Sequence, residues 1–152
     1  MTMRQFDRSL PMALLKAREA VMKKFSPALK EHDLSPQQWR VIRVLVEVDA
    51  LDASEIAQRC ALLLPSLSRI LQNLHKRRLV DRNSDAGDQR RSMISITPAG
   101  RALFDTLSPV NEARYAYITE KFGYGKLELL YELLEELVEK IDEDDVADGE
   151  GK

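Results

Sequence analysis

Two arginines, Arg90 and Arg91, stand in the segment Asp85–Gly100, DAGDQRRSMISITPAG, ahead of an alternating stretch in which Ile94 and Ile96 share one face. The turn residues Ala86-Gly87, with short strands over Leu79–Arg82 and Ser92–Thr97, predict a β-hairpin with the arginines near its tip. A hairpin needs only small polar residues there. Planar guanidinium forks are suited to anions and to base edges outside the chain. Asp88 can brace Arg90 through a charge-assisted hydrogen bond; the plainer alternative is a surface ion pair worth about 0–1 kcal/mol.

A second set of polar groups precedes the hairpin. Leu67, Ile70, Leu71 and Leu74 form an i, i+3, i+4, i+7 stripe, and Ser66, Ser68, Arg69, Gln72, Asn73 and Lys76 occupy the opposite side. The spacing predicts an amphipathic helix opened by Pro65. Short hydroxyls, amides and a guanidinium on one exposed face match the donor and acceptor pattern of base edges in a major groove. By itself such a face is equally an ordinary solvated surface.

The surrounding elements must hold these groups in place. Leu10, Leu14, Ala17, Val21 and Phe25 share a face, predicting a long first helix from Ser9 to about Lys30. Ser35-Pro36 opens a second helix through Trp39, Ile42, Leu45 and Val46, and Ser54-Glu55 opens a short third one ending near Cys60 or Ala61. Thr97-Pro98 caps a fifth helix running to Phe122, which Gly123 and Gly125 break. Leu127, Leu130, Leu134, Leu137 and Ile141 mark a last helix. A short helix, a turn and a reading helix followed by a hairpin compose a winged helix–turn–helix. Arg90 at the wing tip would then reach a minor groove, where narrow A·T-rich geometry concentrates negative potential.

Length and composition agree with this plan and exclude others. The 152 residues, 44% hydrophobic and 32% charged, fit one ordinary globular domain. No apolar run suits a membrane span and Met1–Leu10 has no signal-peptide core, so a cytoplasmic setting is expected. Two histidines and one cysteine offer no catalytic constellation or metal-ligand cluster, and no cofactor is implied. The net charge of −2 conceals a strong segregation. From Arg69 to Arg91 seven Lys/Arg meet three Asp, a balance of +4, whereas from Glu128 to Glu150 eleven acids meet only Lys140. Phosphate recognition depends on the local field, which is positive where the reading helix and wing fall.

Ser66-Leu67-Ser68-Arg69, Leu74, Leu79-Val80, Asp88-Gln89-Arg90-Arg91 and Ile96-Thr97-Pro98-Ala99-Gly100 resemble, in order and spacing, the T-V-T-R, L-x-x-x-G-L-V, D-x-R and L-T-x-x-G elements of the MarR family of transcription regulators. The resemblance extends over the helical plan from about Ser9 to Ile141. Arg78 departs from it, standing where the family usually has glycine at the helix end; in a left-handed conformation this costs roughly 1 kcal/mol. Leu14–Ala20 and Leu34–Arg40 are most similar to the HpaR/HpcR-type regulators, repressors of operons for homoprotocatechuate (3,4-dihydroxyphenylacetate) breakdown.

The resemblance implies a mainly α fold with a small β-wing and six helices. Residues 9–32 and 98–143 would form dimerisation helices, 35–97 the winged lobe, and 144–152 a disordered acidic tail. It implies a homodimer on a pseudo-palindromic operator in double-stranded DNA. It also implies a small aromatic acid effector, such as 3,4-dihydroxyphenylacetate, between the dimer helices and the winged lobe. Arg18, Met22, His32, Trp39, Arg40 and Arg43 are the residues for that site: arginine forks for a carboxylate, Trp39 as an aromatic wall, His32 for a hydroxyl. The alternative leaves Trp39 in the core and the arginines in surface pairs. A thiol-based oxidation sensor using Cys60 is the competing regulator. Arg90→Ala is expected to weaken duplex binding at least about tenfold while leaving the dimer and its melting temperature unchanged. A band-shift titration with unaltered affinity would remove the wing assignment.

Overall fold

In the computed structural model, residues 3, 5–85 and 88–150 are described, the side chains at 84, 85, 88–91 and 144–150 excepted. Each of the first three α-helices begins where a side chain accepts a hydrogen bond from a first-turn amide. Ser9 caps α1 (Leu10–Glu31) through Met12 N, and Ser35 caps α2 (Pro36–Glu47) through Gln38 N. Gln38 returns a bond from its Oε1 to Ser35 N at 2.9 Å, completing a capping box. For α3 (Ala53–Cys60) the cap is Asp52, which accepts from Glu55 N at 2.8 Å, not Ser54 as expected. An aspartate two residues earlier already satisfies that amide, so Ser54 falls inside the first turn.

Three helix ends use the left-handed conformation without glycine. Asp33, Ala61 and Arg78 have φ of 55°, 53° and 61°. In each case the following amide reaches back five residues: Leu34 N to Leu29 O, Leu62 N to Ala57 O and Leu79 N to Leu74 O, all at 2.9 Å. Arg78 therefore does occupy the strained position anticipated for it. The tight ends reverse the chain within a few residues, setting α3 and α4 (Leu64–Lys76) as a helix–turn–helix.

A two-residue strand, β1 (Leu51–Asp52), was not anticipated. It pairs antiparallel with β3 (Asp88–Ile96), which also pairs with β2 (Val80–Asp85), giving the order β1-β3-β2. The hairpin ladder runs in regular register from Val80↔Ile96 to Ser84↔Ser92, then jumps to Asp85↔Asp88. Gln89, Arg90 and Arg91 therefore stand where the regular ladder is interrupted; Ala86 and Gly87 lie outside the described residues. Ile94, Val80, Leu67, Leu71, Leu74, Ile42 and Leu45 meet in one buried core that β1 joins through Leu51.

The chain divides into two compact units, Met1–Glu112 and Ala113–Lys152, with α5 (Pro98–Phe122) crossing the boundary and Gly123 (φ 110°) separating it from α6 (Tyr124–Glu150). The helical backbone of α6 continues over 144–150. Once a helix is nucleated each further residue adds a hydrogen bond, so an acidic sequence can extend an existing helix it could not start. In α1 only Phe25 and Leu29 are buried; Leu10, Leu14 and Val21 remain exposed. Among the described residues no helix is long and apolar enough to cross a membrane.

Gly100 fixes how α5 leaves the wing. A Cβ at this position would collide with the Leu79 carbonyl oxygen and lie 2.7 Å from Ile96 Cγ1. Gly100→Ala is therefore expected to destabilise the fold by about 2 kcal/mol or more, as overpacking against backbone does. Urea denaturation checks this; an unchanged midpoint would contradict so close an approach.

Candidate nucleic-acid interface and effector site

The polar side of α4 is laid out as its spacing predicts. Leu67, Leu71 and Leu74 are buried, whereas Ser66, Ser68, Arg69, Gln72, Asn73 and Lys76 are exposed. One of these groups is already engaged. Gln38 Nε2 donates to Asn73 Oδ1 at 2.9 Å, so the residue that completes the α2 capping box also orients Asn73. Arg77, at the C-cap of α4, donates to Asp33 O at 2.9 Å and His32 O at 3.2 Å. These two ties hold the C-terminal turn of α4 against the α1–α2 connection and the first turn of α2. Sequence reasoning missed Gln38 and Arg77. The S-x-x-Q pattern at Ser35 signalled the first, and nothing local signalled the second.

Thr97 joins α4 to the wing and to α5. Its hydroxyl donates to Arg78 O at 2.8 Å and accepts from Gly100 N at 3.0 Å, while its amide donates to Leu79 O at 3.1 Å. A single buried residue thus caps α5 and satisfies carbonyls at the end of α4. The side chains of Asp88, Arg90 and Arg91 lie outside the described residues, so the brace expected between Asp88 and Arg90 is not described; the backbone places these residues on the wing beyond the regular ladder.

The residues named for an effector are distributed over α1, the α1–α2 connection and α2. Arg18 and Met22 lie one turn apart on α1, on the line that continues to buried Phe25 and Leu29. Met22 is half-buried, while Arg18 is half-exposed and 3.6 Å from Glu19. Trp39 is buried and stacks on Phe104 of α5, ring centres 5.5 Å apart and 12° from parallel. Arg43 is exposed one turn beyond it. Two members also contact backbone carbonyls. His32 ends α1, its Nδ1 3.1 Å from Ala28 O. Arg40 points to the end of α3, where Nη1 donates to Cys60 O at 2.8 Å. A cation at a helix C-terminus satisfies an orphan carbonyl and complements the helix dipole, which is why Arg40 turns this way.

Two buried polar atoms lack partners among the described residues: Arg40 Nε and Asn111 Oδ1. Asn111 lies on the α5 face that carries Leu107, one turn away, and Phe104, two turns away. In a separate place, Leu134, Glu135, Val138 and Glu139 flank an open depression on α6 whose surface is apolar. All four lie on one helix, as an uncovered stripe would.

Cys60 is enclosed rather than poised. Its Sγ donates to Arg40 O at 3.5 Å, and burial pushes the thiol up from its usual range, the Arg40 charge offsetting part of the effect. Among the described residues no group of His, Cys, Asp or Glu is arranged to hold a metal ion.

A helix–turn–helix with an exposed polar reading face, followed by a hairpin wing, defines a winged-helix DNA-binding protein. The comparisons agree. A profile of the MarR family matches residues 32–91. The chain is 41% identical over 130 residues to the homoprotocatechuate degradative operon repressor of Escherichia coli, covering 86% of this chain and 88% of that one. It is 40% identical over 129 residues to the transcriptional regulator FarR of Neisseria gonorrhoeae, covering 85% and 88%. The crystal structure of NadR in complex with 4-hydroxyphenylacetate superposes with a TM-score of 0.78 at 38% identity, covering 90% and 97%. The chain belongs to the MarR family of transcriptional regulators.

The Cys60 environment yields a test with a defined sign. A folded-state pKa raised above the unfolded value, about 8.5 for a free thiol, contributes stability that is complete below that pH. The contribution is lost as pH rises through the folded value. Urea stability should therefore carry an alkaline decline above about pH 8.5 that Cys60→Ala removes. Native Cys60 should also react with a thiol reagent far more slowly than the unfolded chain. Rapid native labelling would restore the oxidation-sensor reading.

Proposed function

We propose that this chain is a homodimeric, cytoplasmic repressor of an aromatic-catabolism operon, that of homoprotocatechuate degradation, released from a pseudo-palindromic operator by a small phenolic acid. The observation that carries the DNA half is the exposed face of α4, with Ser66, Ser68, Arg69, Gln72 and Asn73 beside a wing in a segment of net charge +4. Uncovered apolar side chains favour a second copy: Leu10 and Leu14 on α1, Tyr117 and Phe122 on α5, Leu130 and Ile141 on α6 are all exposed in the protomer. Two such subunits present two reading helices to half-sites about one helical turn apart.

The effector half draws support from relatives named for homoprotocatechuate degradation and for a complex with 4-hydroxyphenylacetate. On this chain, the Trp39–Phe104 stack offers an aromatic wall, and Arg18 and Arg43 offer cations at the exposed ends of their helix faces. Asn111 Oδ1 offers a buried acceptor to a ring hydroxyl. Arg40 and His32, held by backbone carbonyls, orient the helices around this place. The tie of Cys60 to Arg40 leaves the thiol a packing role in the same frame.

Release requires the acid to bind the DNA-incompetent arrangement more tightly than the competent one. A tenfold loss of DNA affinity needs about 1.4 kcal/mol of coupling, within reach of one charge-assisted contact made in a single state. Titration calorimetry with 3,4-dihydroxyphenylacetate, paired with band shifts, tests this. Binding and DNA release are expected for the intact dimer, and Arg18→Ala should lose both while still binding DNA. An Arg18→Ala dimer that binds the acid as the parent does would place the site elsewhere.

A further inference from the structure

The reading face of α4 opens on residues that polar recognition does not account for. Leu62, Leu63 and Leu64 are consecutive, and only Leu62 packs against the core. Leu63 is 77% exposed and Leu64 53% exposed. Leu63 occupies the N-cap with extended backbone and supplies no side-chain acceptor to the first turn, unlike Ser9, Ser35 and Asp52 at the helices before it. Capping positions select against such a residue. Something other than the stability of the isolated helix therefore favours large aliphatic groups here.

Leu64, Ser68 and Gln72 follow one another at i, i+4 and i+8, and all three are exposed. The line of polar groups along α4 thus ends, toward the helix N-terminus, in an isobutyl group. In helix–turn–helix docking the N-terminal residues of the second helix are the ones that contact base edges. The apolar group a base pair displays in the major groove is the C5-methyl of thymine. The positive segment that begins at Arg69 on the same helix favours DNA over a protein partner as the occupant of this end.

We propose that Leu64 is a specificity-determining residue that packs on the C5-methyl group of a thymine in each operator half-site. The inference rests on the DNA reading stated under Proposed function. Leu63, one residue earlier and off the Leu64–Ser68–Gln72 line, does not make this contact.

The test uses the intact protein to select duplexes from a random-sequence pool. The winning duplex is then resynthesised with uracil in place of each thymine in turn, which removes the methyl group alone. One thymine per half-site is expected at which uracil weakens binding about fourfold, the worth of one buried methyl-sized group. In Leu64→Ala the thymine and uracil duplexes should bind alike, whereas Leu63→Ala should retain the fourfold difference. Both side chains are exposed, so unchanged melting curves certify the variants as folded. Equal affinity for thymine and uracil duplexes with the intact protein, or a methyl effect that persists in Leu64→Ala, overturns the assignment while leaving DNA binding in place. A pool that yields no enriched duplex removes the DNA reading, and the Leu64 contact with it.

Discussion

The winged lobe depends on the close approach of the first turn of α5 to the carbonyl of Leu79. That carbonyl accepts from Thr97 N, and the space beside it is open only because position 100 lacks a Cβ. The neighbouring carbonyl, of Arg78, accepts from the Thr97 hydroxyl. Arg78 is itself in the left-handed conformation that ends α4, and β2 begins two residues later. The end of the reading helix, the base of the wing and the start of α5 therefore share one joint a few residues across. Buried carbonyls left unsatisfied cost about 1–3 kcal/mol each, so the joint has little freedom to rearrange piecemeal.

The remaining restraints on α4 are polar and come from the α1–α2 connection. Arg77 reaches two of its carbonyls, and Gln38 holds Asn73 from the first turn of α2. Arg40 supplies the matching restraint on α3 by closing its C-terminal carbonyl. Guanidinium groups suit this work because a planar fork can satisfy several carbonyls with one ordered side chain. The chain thus spends some cations on internal geometry and keeps others, Arg69 and Lys76 among them, on the exposed face. Charge counting along the sequence cannot separate these two uses.

The parts legible in the sequence are those governed by local rules. Ser35-Pro36 and Thr97-Pro98 marked helix starts because caps are set by neighbouring residues. The α4 stripe gave the reading face because helical period is local. The strain at Arg78 was legible only through the family resemblance, because Arg78 stands where the resembled pattern has glycine at a helix end. What escaped needed contacts distant in the chain. β1 is two residues long and has no periodicity of its own; it exists because Leu51 pairs with Ile94. Arg40 reaches Cys60 O, twenty residues away in the chain, and no local rule reveals which carbonyl a fold brings near a side chain. Phe104 went unnoticed because its partner, Trp39, lies on another helix. The apolar face of α1 was legible as a face, and its length already pointed to more apolar surface than the winged lobe covers; Leu10, Leu14 and Val21 are exposed in the protomer.

The position of Phe104 links the two halves of the proposed function. Phe104 follows Gly100 by one helical turn, and Asn111 follows Phe104 by two. The ring that stacks on Trp39 and the residue that abuts Leu79 O therefore belong to one short rigid stretch of α5. In the proposed mechanism an acid bound beside the Trp39–Phe104 stack acts on the same stretch that ends in the Thr97 joint. A displacement of that stretch would reach α4 and the wing through the hydrogen bonds that Thr97 makes to Arg78 O and Leu79 O. Tighter effector binding in one position of α5 is then linked, by thermodynamic reciprocity, to weaker DNA binding in that position. The strain at Arg78 and the close contact at Gly100 fit this role, since a joint with slack would absorb the movement before it reached the reading helix.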